Sequence, residues 1–272
     1  MLEIEIPKPS RYNSNLKVDE IALEANRAYR TRAGNKLGFP VNMERFVDLI
    51  EVSTLWEDIE EPEGATFFAS YTPEGDGLIT LNERHKQLFE ARPDVFGACL
   101  GHESGHRILR HFEIFAPSAP SLFTEEPRSQ LVFHKSSWFQ YGLTREEVEK
   151  SKAARRILNQ TLAKNAWLSD TAHQTLKQIQ THFEPDWVFW QAEHFSLSLR
   201  IPRDRIMEQL EEGWDFTGWR PIYQLAERFK VSGSMMKTRL EKLDIIEMGP
   251  NGRPRPKPGA QKALFQNSQN QP

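Results

Sequence analysis

The feature that most constrains this chain is Gly101-His102-Glu103-Ser104-Gly105-His106, in which two histidines four residues apart bracket a glutamate. That spacing serves a purpose on an α-helix, where residues four apart lie one turn above each other on one face. There His102 and His106 can direct two imidazole nitrogens at a single tetrahedral zinc ion. Glu103 lies about 100° around the helix. Its carboxylate then reaches a water on the metal without being a ligand, and can take the proton as general base. The flanking residues are apolar: Val95, Phe96, Ala98, Cys99 and Leu100 before the motif, Ile108 and Leu109 after it. A helix flanked in this way faces a core, and buried histidine and glutamate need partners, one of which a metal supplies. The expectation is a core-facing metal helix that opens on Pro93 in its first turn and runs to about residue 115.

At 272 residues the chain has room for one large domain, or a medium domain with a small accessory one. A net charge of −3 gives no general pull toward nucleic acid, so any DNA contact has to come from a local basic patch. The single cysteine, Cys99, excludes an intrachain disulfide framework and fits a reducing compartment. The N-terminal stretch lacks the apolar run of a signal peptide, and no run of about 18 apolar residues occurs, so a cytoplasmic protein without a membrane partner is expected.

Read in order, residues 1–13 form an irregular arm held open by Pro7 and Pro9. Asn13 or Ser14 caps a helix to about residue 33, ended by Gly34, and a second helix covers about 43–51. Three short strands follow, at about 54–56, 65–71 and 77–81. The turn signal Pro73-Glu74-Gly75-Asp76-Gly77 joins the last two as a hairpin. A short helix is expected at about 84–90. Residues 116–144 read as a loop with one strand, followed by helices at about 144–167 and 169–183. Pro185 and Asp186 open a further helix closed by Pro202, and another covers about 203–212. Residues 219–229 and 234–243, around a turn at Val231-Ser232-Gly233, outline a helix–turn–helix. The Pro-, Gly-, Asn- and Gln-rich stretch 249–272 reads as disordered.

A catalytic zinc usually takes three protein ligands and a water. The helix after Pro185 offers Asp186, Glu193 and His194 for the third place. Three stretches together resemble the ImmA/IrrE-like metallopeptidase family. They are Ala98-Cys99-Leu100-Gly101-His102-Glu103-Ser104-Gly105-His106; Trp190-Gln191-Ala192-Glu193-His194-Phe195-Ser196 followed by Leu199 and Arg200-Ile201-Pro202-Arg203; and Leu225-Ala226, Phe229, Val231-Ser232, Arg239-Leu240 and Leu243. The resemblance spans about residues 18–246. It implies an α+β fold, a zincin-like minimal metallopeptidase whose small, mostly antiparallel sheet packs on the metal helix, with a small helical C-terminal region.

The domain would then cover residues 14–212, with a helical insertion at about 112–184 and a helix–turn–helix-like region at 213–248. The resemblance further implies a Zn2+ endopeptidase with His102 and His106 as ligands and Glu103 as base. Its protein substrate would be a helix–turn–helix transcriptional repressor, cut to switch on stress-response or mobile-element genes. The family's third-ligand glutamate falls at Phe189 here. Glu193, one turn along the same face, is the first candidate to replace it, with Asp186 or His194 as alternatives. The departure at Phe189 also motivates a second reading, a non-catalytic DNA- or protein-binding regulator that keeps the fold. A toxin–antitoxin component is a third.

Other residues carry weaker signals. Cys99 is a small core residue or a metal-proximal redox sensor. His111 is a helix-terminal cation beside the C-terminal dipole, or a substrate-orienting group. His134 and His182 are candidates to hydrogen-bond a tetrahedral intermediate. The strand around Leu78-Ile79-Thr80-Leu81 is a candidate edge for an extended peptide. Lys230, Lys237, Arg239 and Lys242 lie around the second helix of the helix–turn–helix, diluted by Glu227, Glu241 and Asp244, so packing against the body is expected to outweigh DNA binding there.

Overall fold

The structure is a computed structural model, and it describes residues 2, 13–34, 39–61, 66–73, 75–115, 133–136, 186–211 and 216–258. In chain order its helices are α1 (Asn15–Ala33), α2 (Met43–Leu49), α3 (Lys86–Ala91), α4 (Pro93–Ile108), α5 (His111–Phe115), α6 (Asp186–Arg200), α7 (Arg203–Glu211), α8 (Trp219–Phe229) and α9 (Gly233–Lys242). The strands are β1 (Ser53–Glu57), β2 (Phe67–Thr72), β3 (Leu78–Asn82), β4 (Phe133–Ser136), β5 (Ile246–Met248) and β6 (Pro254–Pro256). This is an α+β chain, as its residue patterns imply. The helices expected at 144–167 and 169–183, and His182, lie outside the described residues. No described helix is long and apolar enough to cross a membrane.

Two compact units result. One is built chiefly from Tyr12–Ile50 and Glu193–Pro272, the other chiefly from Glu51–Ala192. In the first of these the N-terminal helices group with the C-terminal region.

In the second of these units a mixed sheet runs in the order β1-β3-β2-β4. The expected hairpin is present: β2 and β3 are antiparallel, with Tyr71 opposite Ile79 and Ala69 opposite Leu81. β1 lies parallel to β3, with Ser53 opposite Leu78, and β4 is antiparallel to β2. β3 is therefore paired on both sides and is no edge, which corrects the peptide-binding edge expected there; β1 and β4 are the outer strands. Asn82 at the end of β3 fastens the incoming loop. Its amide donates to Phe67 O at 2.9 Å, and its carbonyl oxygen accepts from Ile59 N and Arg84 N, each at 3.2 Å. Trp56, Phe68, Phe89 and Phe96 form an aromatic cluster with ring centroids 5.5–6.2 Å apart, which packs α3 and α4 against strands β1 and β2.

In the other unit Ser14 caps α1 by accepting from Lys17 N, and Gly34 ends it in the left-handed conformation, φ +66°. Val18, Ile21, Ala22, Ala25 and Tyr29 form the buried stripe of α1, and Phe46, Phe195, Leu199, Leu225, Phe229 and Leu240 are buried in the same unit, Phe46 beside Tyr29. Within it Asp19 accepts from Arg239 Nη1 at 2.7 Å and from Ser198 Oγ, and lies 3.3 Å from His194 Nε2. Arg239 Nε also donates to Ile201 O at 3.0 Å. Arg239, one of the basic residues around the second helix of the helix–turn–helix, is buried at 1% exposure, where its guanidinium finds a carboxylate and a carbonyl.

Burial raises the Asp19 carboxyl, but His194, Arg239 and Ser198 outweigh it and hold it well below the usual carboxylate range. A carboxyl whose pKa is lowered by folding stabilises the fold above its unfolded value, about 3.9, and that stabilisation is lost as pH falls toward the folded value. Asp19→Ala leaves a buried guanidinium without its counter-charge and is expected to cost about 3–5 kcal/mol in urea unfolding at neutral pH. The gap between wild type and Asp19→Asn should narrow below about pH 4. A gap that stays constant through that range contradicts the assignment.

Candidate active site

α4 carries the motif where the sequence places it. Pro93 occupies the first turn, and Val95, Ala98, Cys99, Leu100 and Ile108 are buried. His102, Glu103 and His106 are themselves 0% exposed, in keeping with a core-facing helix. The imidazole rings of His102 and His106 meet edge to face with centroids 4.9 Å apart, as the i, i+4 spacing requires. Glu103 Oε2 lies 3.9 Å from His106 Nε2.

The helix does not run to residue 115 as expected. It stops at Ile108, and Arg110 adopts a left-handed conformation, φ +54°, before α5 begins at His111. This kink places His111 at the start of α5 and not at the end of the metal helix. It turns His111 inward to 0% exposure, with Nδ1 3.0 Å from His106 Nδ1 and Nε2 3.1 Å from Gln191 Oε1. The two contacts define a direction. An amide oxygen only accepts, so His111 carries its proton on Nε2 and presents a bare Nδ1. That nitrogen accepts from His106 Nδ1–H, which leaves the lone pair of neutral His106 on Nε2, the atom facing Glu103. Relays of this kind orient metal-binding histidines and fix their tautomer.

The first half of α6 supplies the other wall. A Cβ built on Gly105 would lie 3.0 Å from Ala192 Cα and 3.1 Å from Ala192 O, so the absence of a side chain at 105 is what lets the two helix backbones approach. Phe189 lies against His102, with ring centroids 5.0 Å apart. On the far side the Tyr71 ring stacks over His106 at 6.4 Å. Burial raises the Tyr71 phenol, opposed by Arg107. Cys99 is fully buried. His134 stands opposite Ser70 in the β2–β4 register.

Among the described residues no group of three or more His, Cys, Asp or Glu side chains gathers to hold a metal ion. The donor chemistry of α4 nevertheless fits a divalent metal: two neighbouring imidazoles, one with its tautomer set by hydrogen bonds, and a carboxylate beside them. Glu193 is half-buried and faces the Lys242 ammonium. His194, offered as an alternative ligand, is engaged elsewhere, with Nδ1 3.0 Å from Lys242 Nζ and Nε2 turned to Asp19. Burial and the charges of Lys242 and Arg239 lower its pKa, against the pull of Asp19.

Gln191 and Tyr71 were not among the candidates from sequence. Gln191 did leave a signal, as a polar residue three after Val188 and four before Phe195, inside the apolar stripe of its helix. Compared with known proteins, the chain matches no family model and no curated protein sequence.

In the metal-free protein, nitrogen-15 imidazole spectra are expected to show His106 as the Nδ1–H tautomer and His111 as the Nε2–H tautomer. Gln191→Glu, which can only accept, should preserve both states. Gln191→Leu should mix them and cost about 1–3 kcal/mol for the stranded donor. Unchanged tautomers in Gln191→Leu would contradict the relay.

Proposed function

We propose that the chain is a zinc-dependent endopeptidase of the HExxH type, with His102 and His106 as metal ligands, Glu103 as general base and Glu193 as third ligand. The single observation that carries this reading is the motif on one buried helix turn, with a carboxylate 3.9 Å from the Nε2 of a histidine whose other nitrogen is hydrogen-bonded to His111. A bound zinc would supply polarisation of the scissile carbonyl and acidification of water.

The chain's own residues do the rest. Glu103 takes the proton of the attacking water on a carboxylate oxygen and returns it to the leaving amine. His111 and Gln191 hold the His106 ring in place. Phe189 presents an apolar ring to His102, which keeps bulk water from that side. The proposed substrate, a helix–turn–helix transcriptional repressor cut to release stress-response or mobile-element genes, rests on resemblance to the ImmA/IrrE-like family. A cytoplasmic site of action belongs to the same reading.

A second reading is favoured by Phe189, which stands against His102 where that family has its ligating glutamate. On it the chain is a non-catalytic regulator with a peptidase-like fold.

Glu103→Gln separates the two. Wild type is expected to generate new protein N-termini in a cell lysate, read by N-terminal labelling and mass spectrometry, a repressor among them. The variant should lose about 100- to 10,000-fold in rate while remaining folded. Cleavage retained by Glu103→Gln would contradict the mechanism, and no new termini from either protein would support the regulator.

A further inference from the structure

The C-terminal segment does not become irregular at Gly249. β5 and β6 pair as an antiparallel hairpin, with Ile246 opposite Pro256 and Met248 opposite Pro254, closed where Gly249 N donates to Arg253 O at 2.9 Å. The hairpin is anchored at two points: Gly218 N donates to Pro254 O and Lys257 N to Ile245 O, each at 2.9 Å. It is thereby fixed beside the start of α8 and the end of α9. The unit thus carries a helix–turn–helix followed directly by a β-ribbon.

The second helix has two distinct faces. Met235, Met236, Arg239 and Leu240 are buried in the core. Ser234, Lys237, Thr238 and Glu241 lie on the other side, Ser234 exposed and the others partly so. Hydroxyls, an ammonium and a carboxylate are the groups that read base edges in a major groove. Tyr223, 58% exposed, lies over the first turn of this helix; a Cβ on Gly233 would come 2.4 Å from its ring.

Charge is concentrated here. Residues 219–257 hold nine Lys and Arg against four Asp and Glu; without Arg239, which is buried against Asp19, the net is +4, in a chain whose total is −3. Three of the acids are paired locally: Glu241 with Lys237 at 3.0 Å, Glu247 with Arg255 at 2.8 Å and Asp244 with Lys257 at 2.6 Å. Arg220, Lys230 and Arg253 are exposed, Arg253 at the ribbon turn and Lys230 at the turn between the helices.

From these features we propose that this unit binds double-stranded DNA, with α9 in the major groove and the β5–β6 turn carrying Arg253 along the neighbouring backbone and minor groove. B-form DNA is the occupant the geometry favours. Its major groove admits an α-helix, whereas that of duplex RNA is too deep and narrow for side chains to read. Basic groups at both turns supply the phosphate contacts that position such a helix. The activity requires none of the residues of α4, so it stands or falls independently of the peptidase reading.

The test uses the full chain and a labelled duplex of about two helical turns, followed by fluorescence anisotropy. Binding should weaken about 100-fold between about 50 and 200 mM salt, the loss for about four phosphate contacts. Replacing Lys230 and Arg253 together with Gln should reduce the slope of log K against log salt by about 2. The affinity at about 100 mM salt should fall roughly tenfold. Lys237→Gln, on the groove-facing side of α9, should weaken binding without changing the melting temperature. A single strand of the same length, or an RNA duplex, should bind at least about tenfold less tightly. Overturning results are no duplex binding at about 50 mM salt, equal affinity for single strand or duplex RNA, or full binding by both sets of variants when folded.

Discussion

Gly105 is the constraint on which the candidate site depends. With no side chain there, the backbone of α6 at Ala192 comes within what would be contact distance of a Cβ, and two helices meet at their main chains. That crossing brings Phe189 to His102 and Gln191 to His111. A methyl group at 105 would collide with backbone, which cannot rotate away as a side chain can. The motif residues are thus positioned by a glycine that lies between them in sequence and has no chemistry of its own.

The second determinant is the break after Ile108. A helix continuing through residue 111 would set His111 about a turn and a half beyond His106, rotated away from its face. The left-handed residue at Arg110 folds the chain back, and His111 instead closes a relay from His106 to Gln191. The break thus brings a histidine into the relay that sets a proton position on His106. In the other unit Asp19 has a comparable role, holding Arg239, Ser198 and His194 together inside an otherwise apolar core.

Much of this was legible in the residues. The motif, Pro93 and the apolar flanks specified α4, and the Gly-rich turn at 75–77 specified the β2–β3 hairpin. Ser232 and the apolar spacing of α8 and α9 specified the helix–turn–helix. What escaped has physical causes. Strand order depends on pairing between distant segments, and nothing in Leu78–Asn82 itself says that β1 flanks it in parallel. The left-handed conformation at Arg110 carries no glycine or asparagine to announce it. The β5–β6 ribbon is rich in proline and glycine, which reads as irregular, yet its prolines stand at 254 and 256, at alternate positions of a strand with one partner, β5. Nothing near Arg239 in sequence announces its buried ion pair, because the counter-charge, Asp19, is 220 residues away.

The proposal that His102 and His106 bind zinc, with Glu193 as the proposed third ligand, meets its most direct test in the metal content of the protein. Elemental analysis of the purified protein beside Glu193→Ala and His106→Ala measures it. The account predicts about one zinc per chain in wild type, with loss in both variants while each remains folded. Zinc absent from wild type after metal is added back, or retained in full by His106→Ala, would contradict it.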